Sequence, residues 1–252
     1  MSHWKAYEEL AWTEFIISSL DDYEEEASAI IQSLDIKTGA DTGSFKPDLL
    51  HFGCGAGGHD YYFKQAFDVT GVDISHGMLQ NAQKINPEVT YLYGDMRSVT
   101  IGKSFDAVVF PESLMYMTTV DDIRQALQNA AAHLKPHGKI LVTVHTKEEF
   151  QPHNFAYAGE KDGVHVTLFE NNYIVSETAY EAAMVYLIRN KKGLEIHHDV
   201  HTVGLFPYGV WTGLFSKLNL DFKEWHMAHL YDRNILDEGD YPQTYFVCTK
   251  KE

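Results

Sequence analysis

The sequence predicts an α/β fold built on a mostly parallel, seven-stranded sheet, with a terminal antiparallel hairpin and an antiparallel β insertion. Three observations carry the prediction. A short apolar run ends in a glycine-rich bend, LLHFGCGAGGHD at 49–60. Strand-like and helix-like periods then alternate to about residue 146, as parallel sheets with crossover helices require. Beyond that point β-rich runs follow one another with turn signals between them, which marks antiparallel pairing.

In chain order, the first element is a helix. Tyr23, Ala27, Ile30, Ile31 and Leu34 recur at helical spacing opposite Glu24, Glu25 and Gln32, so one face is apolar. Pro47 biases the residue before it away from helix and closes an N-terminal helical section, 1–46. DLLHF (48–52) reads as a buried strand running into the glycines. FDVTGVDI (67–74) is the second strand, with Ser75 placed to cap the helix HGMLQNAQK. VTYLYGD (89–95) and FDAVVF (105–110) are the third and fourth. Over 121–134, Ile123, Ala126, Leu127, Ala130 and Leu134 form one stripe behind an acidic start, and Lys135-Pro136-His137-Gly138 reads as the stop. KILVTVHT (139–146) is the fifth strand. Within an insertion at 151–206, HVTLFE, AAMVYLIRN and LEIHHDVHTVGLF read as strands, with turns at Glu170-Asn171-Asn172 and across 190–193. This unit is expected as a lid or floor over the ligand edge of a core formed by 47–150 and 207–252. A helix at about 208–217 and the hairpin strands DFKEWHMA and QTYFVCT close the chain.

A chain of 252 residues fits one large domain of this kind. Thirty-six acidic against 20 basic side chains give a net charge of −16, which repels phosphate backbones and anionic membrane surfaces. Nucleic acid and membrane partners are therefore not expected; the densest basic run, Arg189, Lys191 and Lys192, flanks a turn. Two cysteines far apart, Cys54 and Cys248, suggest neither a metal site nor a disulfide framework. No metal is expected. With no export or organelle address visible and no apolar run of membrane-spanning length, a cytoplasmic location is the expectation.

The glycines leave two ligands open. Gly53, Gly55 and Gly58 make the G-x-G-x-x-G of a dinucleotide site, whereas Gly53, Gly55 and Gly57 make the G-x-G-x-G of many S-adenosylmethionine (SAM) enzymes. Asp73, at the end of the second strand, can accept hydrogen bonds from two ribose hydroxyls and suits both. Asp95, at the tip of the third strand in Gly94-Asp95-Met96-Arg97, breaks the tie. It can accept from an adenine amino group, with an adjacent backbone N–H for a ring nitrogen, and a dinucleotide half-site does not need it.

With FGCGAGG, GVDIS and GDMR in this order, residues 22–146 resemble a class I SAM-dependent methyltransferase with a Rossmann-like sheet. The resemblance implies SAM as cofactor, held around Gly53, Gly55, Gly57, Asp73, Ile74, Met78, Asp95 and Met96. One position departs from the pattern. Two residues before the first glycine the family usually has Asp or Glu, assisting the methionyl end of the cofactor, and here His51 stands; it serves either the strand packing or the cofactor.

DDYEEEAS (21–28), DVHTVGLF (199–206) and the CGAGGH form of the loop narrow the likeness to small-molecule N-methyltransferases that dimethylate amino groups on nucleotide-linked sugars. The resemblance implies that Tyr23 lies near the methionyl part of the cofactor and that His201 faces a small-molecule acceptor, where it could carry a proton. Glu112, just past the fourth strand, could hold an amine by charge. Phe110-Pro111-Glu112-Ser113 occupies the place of an Asn/Asp-Pro-Pro-aromatic motif, which disfavours an adenine or glutamine-amide acceptor. O- or carboxyl methylation of a small acid, or a SAM-binding module without catalysis, are the alternatives. Trp211, Phe215, Trp225 and Tyr231 could line a pocket but suit core packing.

Overall fold

Five runs of apolar and β-branched residues become the parallel part of one sheet in the computed structural model, which describes residues 4–37 and 46–250. Residues 1–3 and 38–45, within the expected N-terminal section, lie outside the described residues. The strands are β1 (Asp48–Phe52), β2 (Asp68–Asp73), β3 (Thr90–Tyr93), β4 (Phe105–Phe110) and β5 (Leu134–Val144). Strands β10 (Leu220–Met227) and β11 (Gln243–Lys250) extend the sheet to the order β10-β11-β5-β4-β1-β2-β3. The terminal hairpin expected from the sequence is present: β11 runs antiparallel to both β5 and β10.

Both faces of the central strands are covered, which is why they read as nearly continuous apolar runs. On one face Leu50, Phe52, Val108 and Phe110 pack with residues of α5 (Val120–Ala132) and α6 (Tyr208–Lys217), among them Ile123, Leu127, Trp211 and Phe215. On the other, Leu49, Val109 and Tyr245 meet Ile30 and Leu34 of α2 (Glu24–Leu34) and Phe63 of α3 (Gly58–Ala66). Each such side chain, fully removed from water, contributes roughly 1.5–3 kcal/mol before entropy is subtracted. Helix α4 (His76–Ile85) begins where expected, with the Ser75 hydroxyl accepting from the Met78 N–H at 3.0 Å. Among the described residues no helix is long and apolar enough to cross a membrane.

The stop expected at Lys135-Pro136-His137-Gly138 is instead the start of β5. The pairing jumps from Phe105↔Leu134 to Ala107↔Lys139, so the four residues form a bulge in the strand, with His137 at φ +64°. Pro and Gly punctuate strands at bulges as readily as they end helices.

The insertion is a four-stranded antiparallel sheet of β6 (Asn154–Lys161), β7 (Val164–Ser176), β8 (Ala179–Asn190) and β9 (Gly193–Gly204). Strand β6 was not anticipated, and it turns into β7 at Asp162-Gly163, both with positive φ. The turn expected at Glu170-Asn171-Asn172 is absent. These residues lie inside the β7–β8 ladder opposite Met184, Ala183 and Ala182, because Tyr173, Ile174 and Val175 carry the strand onward. Cross-strand register puts Phe155, Glu170, Met184 and Asp199 in one row and Tyr157, Leu168 and Tyr186 in the next, all on one face.

An N-terminal segment closes the gap between this face and the main sheet. It contains a 3-10 turn (Ala11–Thr13), the single-turn α1 (Glu14–Ile17) and a second 3-10 turn (Leu20–Tyr23). The Ala6 N–H donates to Asp199 Oδ2 at 2.9 Å, and Asn81 donates to the Ala11 carbonyl at 2.6 Å. Gly159 of β6 abuts the Ile16 carbonyl so closely that a Cβ there would lie 1.6 Å from its oxygen.

Candidate active site

Between the carboxyl ends of β1 to β4, the four-stranded insertion sheet and the N-terminal segment lies a cavity of about 1080 Å³. Its position follows from topology: β1 and β4 diverge to opposite directions of strand order, and ligands of open α/β sheets bind at that switch point.

The glycine bend between β1 and α3 is built for close approach. Gly53 sits at φ +68°, and a Cβ on it would fall 2.3 Å from Ser113 Cβ, whose own hydroxyl donates to the Phe52 carbonyl at 2.7 Å. Gly55, at φ +52°, has nothing within 4 Å of the Cβ position, so its main chain borders open space. Gly57 does not reach the cavity wall. It precedes α3 at φ +79° and faces Tyr91 and Asn86 behind the loop, where its carbonyl accepts from Asn86 at 2.9 Å.

Asp73 and Asp95 both line this one cavity. Gly55 N–H donates to Asp73 Oδ2 and Ser75 N–H to Oδ1, each at 2.8 Å. Two oxygens with two bonds taken retain acceptor capacity for a diol. Burial pushes the Asp73 carboxyl up, and the two N–H donors work against that. Asp95 is more heavily engaged than the sequence suggested. The Arg97 guanidinium reaches both its oxygens at 2.6–3.1 Å and holds the carboxyl below its usual range, while Arg97 also reaches Asp122 at 2.5 Å. Ile74, Met78 and Met96 lie on the wall between and beside these acids.

His51 reaches the wall from β1. Its Nδ1 is 2.7 Å from Asp60 Oδ1, and the other Asp60 oxygen accepts from the Tyr91 hydroxyl at 2.9 Å; His51 is 1 % and Asp60 0 % exposed. Tyr23 lies across the start of α3, its ring where a Cβ of Gly58 would be, and donates to Glu14 at 2.6 Å.

Glu112 stands at the tip of β4 with φ +48°, a left-handed conformation unusual for a non-glycine residue. One oxygen accepts from Tyr231 at 2.5 Å and the other from the Gln243 amide. The chain of contacts continues: the Tyr245 hydroxyl lies 2.9 Å from Gln243 Oε1 and 2.8 Å from Glu26, its single proton going to one of the two, and Glu26 meets His59 at 2.7 Å. Burial, reinforced by the Glu26 charge, raises the Glu112 carboxyl from 4.5 to about 7. Glu170, on the cavity wall from β7, is raised by burial to about 7 as well. The paired His59 rises and Glu26 falls, each favouring its charged form.

His201 is not brought to the cavity wall, contrary to expectation. It is fully buried, its Nε2 3.0 Å from Asp199, while its Nδ1 has no hydrogen-bond partner among the described residues. The rings of Tyr7, Trp4 and Tyr116 pack around it at 4.9–6.0 Å and stand on the wall. Burial lowers its pKa, so the ring is neutral at neutral pH. Register accounts for the outcome: His201 shares a cross-strand row with Ala182 and Asn172, the next row on the same face beyond that of Glu170 and Met184.

Of the four aromatics, Tyr231 lines the cavity, Trp211 and Phe215 lie in the core, and Trp225 stacks on Tyr245 at 3.8 Å. Trp4, Tyr7 and Glu14 on the wall, the Glu26–His59 pair and Asp60 behind His51 carry no recognisable pattern in the sequence. Among the described residues no group of three metal-ligating side chains is arranged around one point.

Comparison with known proteins matches residues 49–138 to the methyltransferase domain family. The chain is 28% identical over 210 residues to the dTDP-3-amino-3,4,6-trideoxy-α-D-glucopyranose N,N-dimethyltransferase of Streptomyces venezuelae, covering 82% of this chain and 86% of that one. It is 30% identical over 178 residues to the dTDP-3-amino-3,6-dideoxy-α-D-glucopyranose N,N-dimethyltransferase of Streptomyces fradiae, covering 68% and 69%. The crystal structure of Streptomyces venezuelae DesVI superposes with a TM-score of 0.75 at 26% identity, covering 91% of this chain and 92% of that one.

Proposed function

We propose that this chain, which belongs to the SAM-dependent methyltransferases, transfers methyl groups to the nitrogen of a small amine. The single observation that carries the nitrogen reading is Glu112. It is a carboxyl raised to about 7 by burial at the tip of β4, in a cavity where Arg97, Arg233 and His59 are already paired with Asp95, Asp22 and Glu26. Such a wall attracts an ammonium and repels an acid, which disfavours carboxylates as acceptors. The two relatives named above are, by name, amino-sugar N,N-dimethyltransferases, and this chain's acceptor is proposed to be an amine of comparable size.

SAM fits the described residues. The open main chain at Gly55, the diol-ready Asp73 and the shared cavity with Asp95 and Met96 suit one adenosine, with Ile74 and Met78 against it and Tyr23, His51 and Gly53 toward the methionyl end. When bound, SAM supplies a methyl group made electrophilic by its attachment to a sulfonium. The chain's own residues have three tasks. Lid and N-terminal segment enclose the site and exclude water. Glu112, fixed by Tyr231 and Gln243, holds the acceptor ammonium and takes its proton, freeing the nitrogen lone pair to attack in line; a carboxyl near 7 accepts that proton better than one near 4.5. The Tyr245–Glu26–His59 chain connects that oxygen pair to a second titratable centre. We also place the protein in the cytoplasm, supported by two free, buried thiols.

Incubating the protein and SAM with amino sugars, simple primary amines and small carboxylic acids, followed by mass spectrometry, tests the reading. Methylated amines with unchanged acids are expected. Methylation of acids alone overturns it.

A further inference from the structure

At the end of β1 the chain carries a histidine where an acid would be the simpler choice, and a carboxylate, Asp60, stands behind it from the following helix. His51 belongs to the cavity wall beside Gly53, Tyr23 and Asp73. Its Nδ1 is 2.7 Å from a carboxylate that is wholly removed from solvent and fixed by a second donor, Tyr91. A carboxylate only accepts hydrogen bonds, so the shared proton sits on Nδ1. In the neutral ring that leaves Nε2 with its lone pair as the one remaining polar atom. Asp60 comes from the first turn of α3 and reaches His51 of β1 across the glycine bend.

We infer that His51 and Asp60 act as a two-residue replacement for a strand-end acid, with Nε2 of His51 accepting from the α-ammonium of SAM's methionyl end and Asp60 holding the ring in that tautomer. The inference rests on the cofactor pose proposed above. The donor set suits the task. An ammonium needs acceptors, Asp73 is committed to the ribose, and a lone neutral imidazole is a weak partner for a cation. With a buried carboxylate accepting at Nδ1, the ring is held in one tautomer and one orientation with Nε2 free to accept, as carboxylates behind metal-binding histidines do. His51 would touch the cofactor; Asp60 acts through it and is a positioning residue. Asp60 also restores negative charge to this corner of the cavity, which a His51 alone would remove.

Calorimetric titration with two probes tests this. S-Adenosylhomocysteine carries the amino-acid end, and 5′-methylthioadenosine lacks it. Asp60→Asn is expected to weaken S-adenosylhomocysteine by about 10- to 100-fold, the range for losing a charge-assisted bond, and to leave methylthioadenosine within about twofold. Introducing His51→Asp alongside Asp60→Asn is expected to restore tight binding by putting the carboxylate directly on the strand. Equal weakening of both probes, or no weakening of either, overturns the proposal. If the variants do not fold, nitrogen-15 spectra of the histidines in the unaltered protein decide. S-Adenosylhomocysteine should shift the Nε2 resonance of His51 while the Nδ1 proton stays in place, and methylthioadenosine should not; an unmoved Nε2 overturns the proposal. If methylthioadenosine itself fails to bind the unaltered protein, the adenosine pose is wrong, a result distinct from failure of the His51–Asp60 pair.

Discussion

Replacing Glu112 by Gln keeps the side chain's size and its bond from Tyr231 and removes its ability to ionise. In the unfolded chain this carboxyl titrates near 4.5 and in the fold near 7, because burial and the nearby Glu26 charge disfavour the anion. Below 4.5 it is protonated in both states and costs nothing. Between 4.5 and about 7 the unfolded chain gives up the proton while the folded one retains it, so stability falls with rising pH. Above about 7 the whole difference is lost to the fold. At 1.36 kcal/mol per pH unit the loss is about 3 kcal/mol at most. Glu112→Gln is therefore expected to raise the stability of the ligand-free protein at about pH 8 by up to this amount. For a domain of this size each kcal/mol is roughly 2–4 °C in melting temperature, and the gain should shrink toward zero at about pH 5. Turnover with an accepted amine should drop by about 100-fold, within the range for loss of a proton acceptor. Scanning calorimetry across pH checks the first part and initial rates the second. A gain of equal size at both pH values, or destabilisation at both, refutes the buried-carboxylate reasoning.

Asp73→Asn should weaken S-adenosylhomocysteine and methylthioadenosine alike, by about 10- to 100-fold in titration calorimetry, because both carry the ribose. His201→Ala should cost on the order of 2 kcal/mol in denaturant unfolding through lost packing with Trp4 and Tyr7, yet leave the shape of the pH–rate profile unchanged. A shifted profile would return His201 to the proton-transfer chain. Gly159→Ala forces a Cβ against the Ile16 carbonyl and should free the N-terminal segment, seen as faster proteolysis within residues 11–23 and a raised KM for the acceptor.

The parts of the fold with strong local signals could be read directly. FDAVVF and DLLHF announce buried strands because both faces are covered, and Ser75 announces its helix because the cap is a local bond. Lys135-Pro136-His137-Gly138 misled because the same residues end helices and make bulges, and only pairing with Phe105 and Ala107 distinguishes them. In β7, Glu170-Asn171-Asn172 resembled a turn because strand pairing overrides local propensity when the residues beyond restore the pattern. In the site, Asp73 and Asp95 were legible from their places at strand tips. Asp60 and Trp4 were not, because their contacts are made by a helix folding back and by an irregular segment with no period to read, and Glu26 was not, because its partners His59 and Tyr245 come from α3 and β11. His201 was legible as a residue of an insertion strand, but its cross-strand row, which sets it behind Tyr116, is fixed by pairing that the sequence does not display.

A crystal structure of the protein with S-adenosylhomocysteine tests the central claim most directly. The claim requires ribose hydroxyl density within hydrogen-bonding distance of the Asp73 carboxylate, adenine beside Asp95 and Met96, and the sulfur turned toward Glu112. Adenosine density outside the cavity, or a sulfur turned away from the β4 tip, would contradict it.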